Sequence, residues 1–110
     1  MGITINLYYN GSNGNARKFV EEMESSGIAD MIRKEDGNIR YDYFYPINDQ
    51  ETVLLIDSWT NQKSIDLHHE STMMEKIAKL RIKYDLHMKA ERYLSDEAGI
   101  PDSDKAFLKE

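Results

Sequence analysis

The chain has no cysteine in its 110 residues, only two prolines and a single tryptophan. Without thiols there is no disulfide framework, no thiolate metal centre and no cysteine nucleophile. Such a chain suits a reducing compartment, so a cytoplasmic location is the expectation. Long apolar runs are missing too. The longest, Val53–Ile56, falls far short of the roughly 20 residues a membrane helix needs. Basic residues never gather: 14 Lys and Arg are scattered among 20 Asp and Glu, for a formal charge of −6. With no basic stripe, nucleic acid is not an expected partner, and neither is a membrane. Gly11-Ser-Asn-Gly14 lacks the lysine and spacing of a phosphate cradle. Met1-Gly2 is not read as a myristoylation site, because Asn6 stands where that motif needs Ser or Thr. No charged-then-apolar signal pattern opens the chain.

What is present has the size of one domain. Ile3, Ile5, Leu7 and Tyr9 alternate with Thr4, Asn6 and Tyr8, the period of a strand. After a turn-rich loop, Ala16, Phe19, Val20, Met23, Ile28, Met31 and Ile32 keep helical spacing, with Asn13 or Asn15 as cap and Gly27 as a bend. Tyr41, Tyr43 and Tyr45 alternate in a second strand, and Val53–Ile56 forms a third across a short polar link. Thr60-Asn61 opens another helical region, which breaks near Ser71 and restarts on a Thr72-x-x-Glu75 capping box. Met88, Ala90 and Arg92 alternate in a closing strand. The order strand, helix, strand, strand, helix, strand predicts an α+β, ferredoxin-like βαββαβ domain over residues 1–94, with a four-stranded antiparallel sheet. Residues 95–110 read as a C-terminal tail in which only Ala106-Phe107-Leu108 is expected to dock. Val53 and Leu55 oppose Leu54 and Ile56, so both faces of the sheet are apolar. Helices on one face leave the other to a homodimer partner.

Gly37-x-x-x-Tyr41, an acidic residue two before Trp59, and His68 nine after it together resemble the antibiotic biosynthesis monooxygenase family. The resemblance covers roughly residues 3 to 94 and implies a quinol-monooxygenase-like protein with a dimeric α+β barrel. It implies a cofactor-independent monooxygenase, with no cofactor and no metal, acting on a small aromatic, quinol-like or polyketide-like substrate. The departures are Asp57 where the family usually has Glu, and Met73 and Met74 where many members carry His-Phe. The haem-degrading branch of the superfamily fits less well. Asn6 matches its strand asparagine, but Ala78 falls where the axial histidine belongs, and residues 72–86 hold no His or Cys.

His68 and Asn6 are the candidate catalytic residues. An imidazole can take a proton from a phenol or enol near neutral pH; otherwise it closes a helix turn on an apolar wall. An asparagine in mid-strand is disfavoured by propensity, so it needs a ligand or a structural hydrogen bond to justify it. Both are expected in one pocket, walled by the candidate substrate-binding residues Trp59, Tyr41, Met73 and Met74. His69 should point away from it. His68, His69 and Glu70 diverge too much on a helix to share a metal ion. Two alternatives stay open. One is an isomerase or lyase for a small oxygenated signal or sugar-derived molecule, where a phosphate on the substrate would call for a basic pocket, with Arg17, Arg40 and Arg92 as the arginines to converge. The other is a non-catalytic dimeric module that binds a small molecule or helps a partner assemble.

Overall fold

The computed structural model describes residues 2–108, leaving Met1 and the tail residues Lys109 and Glu110 outside. Four strands, β1 (Ile3–Asn10), β2 (Asn38–Phe44), β3 (Thr52–Trp59) and β4 (His87–Leu94), form one antiparallel sheet in the order β2-β3-β1-β4. The helices α1 (Asn15–Ser25), α2 (Ile28–Arg33), α3 (Gln62–His69) and α4 (Met73–Lys83) connect them. This is the expected α+β ferredoxin-like fold. β1 lies in the middle, and the register sets Ile5 between Asp57 of β3 and Arg92 of β4, with Asp57 paired in turn with Tyr41 of β2.

Alternation sorts the strand residues onto two faces. Ile3, Tyr9, Val53, Leu55 and Trp59 are buried against Phe19, Met23 and Ile32 of α1 and α2 and against Ile65, Ile77 and Leu80 of α3 and α4. Among the described residues the opposite face carries no helix. There Leu54 and Ile56 are half-buried beside Thr4, Asn6 and Tyr8, while Phe44 stays 39% exposed. The hairpin link between β2 and β3 is held by Asp49, whose carboxylate accepts from Glu51 N at 2.9 Å and Thr52 Oγ1 at 2.7 Å.

The helical stretch breaks at Gly27, whose φ of 84° lies in the left-handed region that glycine adopts without strain. The cap of α1 differs from expectation. Gly14, not an asparagine, occupies that position, and its N–H donates to the Glu51 carboxylate at 3.1 Å. Asn61 does cap α3, its Oδ1 accepting from Ser64 N at 2.9 Å. Thr72 makes no side-chain cap on α4, so the expected capping box does not form; the short break after α3 instead holds Thr72 in helical backbone angles. Gly37 shares the left-handed backbone of Gly27, with φ 83°, and is required for a second reason: a Cβ there would meet Ser64 Oγ at 2.0 Å. The glycine lets the entry to β2 press against the first turn of α3. In the tail, α5 (Asp102–Lys105) is a single turn, and Phe107 and Leu108 are 85% and 56% exposed rather than docked. Among the described residues no helix is long and apolar enough to cross a membrane.

Candidate active site

Between the covered face of the sheet and helices α3 and α4 lies a cavity of about 280 Å³. Most of its wall is apolar, with Ile5, Leu7, Tyr9, Leu55, Ile65, Ile77 and Met88 among the lining side chains. Asp57 and His68 are its most buried polar members, at 6% and 5% exposure. Gln62, His69, Arg81 and Arg92 complete the lining.

The position of His68 follows from the helix that carries it. Once Asn61 starts α3, residues 64, 65 and 68 fall on one stripe, and all three are buried. The imidazole stacks on Trp59 with centroids 4.8 Å apart and planes 29° apart. Its Nδ1 lies 2.9 Å and 3.1 Å from the two carboxylate oxygens of Glu35, in the turn between α2 and β2. A carboxylate only accepts, so this bond places the hydrogen on Nδ1 and leaves the Nε2 lone pair uncommitted in the neutral ring. His69, about 100° further round the helix, is exposed as expected, although its ring lies 5.8 Å from that of His68 and borders the cavity.

Asp57 is the second polar feature. Its Oδ1 is buried without a hydrogen-bond partner among the described residues. Burial pushes the carboxyl up from 3.8 to about 7; the Trp59 indole pulls it partly back, and the nearby Glu35 charge adds to the rise. The tyrosines are poor bases. Tyr41, 2% exposed, is pushed well above its ordinary value by burial, and its Oη lies 3.3 Å from Tyr43 Oη. Burial lifts Tyr9 to about 12, although Arg81 partly opposes the rise. Both remain neutral and can serve only as walls or hydrogen-bonding groups. Arg81 turns Nη1 toward Met88 Sδ at 2.8 Å, at the β4 side of the cavity.

A family model described as antibiotic biosynthesis monooxygenase matches residues 2–80, spanning everything from β1 to the last turns of α4. The chain belongs to this family. Among curated relatives, "Putative monooxygenase YcnE" of Bacillus subtilis (strain 168) is 25% identical over 48 residues. That match spans 44% of this chain and only half the length of the relative. The fold recurs in solved structures. A "putative antibiotic biosynthesis monooxygenase" from Deinococcus radiodurans has a TM-score of 0.74 at 18% identity, covering 88% of this chain and 94% of its own. SnoaB of Streptomyces nogalater, a cofactor-independent oxygenase solved as a point mutant, gives 0.68 at 8% identity over 87% and 94%. At those identities the likeness is one of fold alone.

Within this family fold, the structure brings His68, Trp59, Tyr41 and Met74 to one cavity. It does not bring Asn6 there. Asn6 pairs with Ile56 and Glu91 on the face without helices, the face on which Thr4 Oγ1 and Ser58 Oγ meet at 2.8 Å. The expectation of one shared Asn6–His68 pocket therefore fails by one residue of strand phase. Met73 is half-buried against the core, outside the cavity lining. Nor do the three arginines converge. Arg17 stacks on Tyr45, Arg40 pairs with Asp42 on the uncovered face, and only Arg92 borders the cavity. Sequence reasoning passed over Glu35 and the buried state of Asp57. Asp57 stood in the motif and could have been singled out as an acid on the same strand face as Trp59. Glu35, 33 positions from His68, gave no such signal. Among the described residues no three His, Asp or Glu side chains gather as a metal site.

Proposed function

We propose that this protein is a cofactor-independent monooxygenase that oxidises a small hydroxylated aromatic, quinol-like or polyketide-like compound with molecular oxygen. The observation that carries the reading is the oriented His68, held by Glu35 against Trp59 at the wall of an apolar cavity. Family membership supports the reaction class.

In this chemistry the substrate supplies the electrons. His68 Nε2 takes the hydroxyl proton, and the electron pair stays on the substrate oxygen as an electron-rich phenolate or enolate. For the parent hydroquinone the balance is C₆H₆O₂ + O₂ → C₆H₄O₃ + H₂O, with one oxygen atom retained as a new ring hydroxyl on the quinone and the other reduced to water by the substrate's own electrons. The chain's own part is to position the ring, move the proton and keep bulk water from the reactive intermediate. Trp59, Tyr41 and Met74 serve as substrate walls. Oxygen uptake with a panel of hydroquinones tests the reading. Uptake above the buffer blank is expected, with His68→Ala lowering it by roughly 10²–10⁴-fold. Uptake equal to the blank across the panel would remove the reading.

The same proposal includes a homodimer built sheet to sheet. The uncovered face offers Leu54, Ile56, Phe44 and Tyr8 together with Arg40, Asp42, Lys89 and Glu91, charges of both signs that a twofold copy can match. Light scattering at micromolar concentration should give about twice the chain mass, with a Tm that rises with concentration. A concentration-independent monomer would contradict it.

A further inference from the structure

We infer that Asp57 is the specificity group of this cavity: its carboxyl, with Oδ1 unpaired, accepts a hydrogen bond from a ligand hydroxyl other than the one His68 deprotonates, so the site selects phenols and enols over their ethers. The inference deepens the monooxygenase reading by naming the form in which the substrate binds, and it rests on that reading only for what happens afterwards.

The geometry leaves Asp57 no protein partner for this atom. Oδ1 has no solvent contact and no hydrogen bond, in a fold where such orphans are uncommon. An unmet buried acceptor is costly, and a ligand hydroxyl would remove that cost. The Trp59 indole donates to the carboxyl but leaves Oδ1 unanswered, and the other neighbours are committed elsewhere. Opposite it in register, Tyr41 shares its hydroxyl with Tyr43. His68 spends Nδ1 on Glu35, and Arg81 turns to Met88. The other charged or titratable groups lining the same cavity are Tyr9, His69 and Arg92. The rest of the wall is apolar and suits the ring itself.

Because the carboxyl is raised to about 7, it is a neutral group at lower pH and an ionised, stronger acceptor above that value. Preference for a hydroxyl over its ether should therefore grow as pH rises through 7. The probes are 4-ethylphenol, which stays un-ionised over this range, and 4-ethylanisole, which has no hydrogen to donate. Trp59, the only tryptophan of the chain, lines the cavity and reports binding by its fluorescence.

The wild type at pH 8 should bind the phenol about tenfold or more tighter than the ether, the scale of a hydrogen bond to a charged group. Asp57→Leu should abolish that preference by weakening the phenol alone. Asp57→Asn should keep part of it and lose its pH dependence. Equal affinities in the wild type, binding of neither probe, or a preference that survives Asp57→Leu would overturn the inference. The wild-type comparison decides even where a variant does not fold. Discrimination without oxygen uptake on any hydroquinone would keep the role of Asp57 and end the oxygenase reading. Uptake without discrimination would do the reverse.

Discussion

The two faces of this sheet are built from the same strands and differ in what they ask of a polar residue. On the helix-covered face, Asp57 sits between Ile5 and Tyr41 and is 6% exposed, with one oxygen unpaired. On the other face, Asn6 sits between Ile56 and Glu91, half-buried and one residue out of phase. The uncovered side tolerates Thr, Asn, Arg and Lys because water or a second copy can satisfy them. The covered side tolerates a polar group only where the cavity gives it a purpose. Polar residues of the strands thus carry very different information depending on phase.

Three substitutions sharpen or break that contrast. The largest effect is expected from Trp59→Ala, which empties a site 1% exposed and removes the surface on which His68 stacks. A loss of about 3–5 kcal/mol in urea unfolding is expected; a loss under about 1 kcal/mol would mean that the covered face is not the core.

Asp57→Asn comes next and depends on pH. The folded-state value is raised, so the native state holds a proton that the unfolded chain releases. The cost of ionising a buried carboxyl is therefore absent below the ordinary 3.8 and fully present above about 7. Asp57→Asn should gain stability relative to the wild type as pH rises through that window, on the order of 4 kcal/mol at most. A difference between the two proteins that stays flat from pH 4 to 8 would place Asp57 in a solvated setting.

The smallest effect belongs to Asn6→Ala. It should leave hydroquinone oxidation within about twofold and monomer stability within about 0.5 kcal/mol. A large loss of turnover would show that the uncovered face takes part in the chemistry.

Much of this was legible in the residues. The alternation in Ile3–Tyr9 and the helical stripe through Phe19 and Met23 acted locally and appear as read, while Gly27, expected to bend one helix, divides it in two. The phase of the polar residues was harder. Asn6 is flanked by apolar residues, which made it look inward, yet those odd-numbered neighbours are themselves the inward set. Val53–Ile56 is apolar at every position, so it carried no alternation from which to place Asp57. Glu35 lies in a turn, where periodicity is silent, and its role comes only from the crossing of the chain. The tail apolar residues promised docking, but nothing in their spacing specified a surface to receive them.

The bond between Glu35 and His68 also ties the site to the completeness of the fold. It spans 33 positions and joins the first strand–helix–strand unit to the second. A chain with only one unit in place has a carboxylate without its imidazole, or an imidazole without its anchor, and only half a cavity wall. Closure of so long a loop is rewarded only when the two units dock. Binding competence therefore requires both units together, and a bound ligand weighs only on the equilibrium between the finished domain and everything less complete.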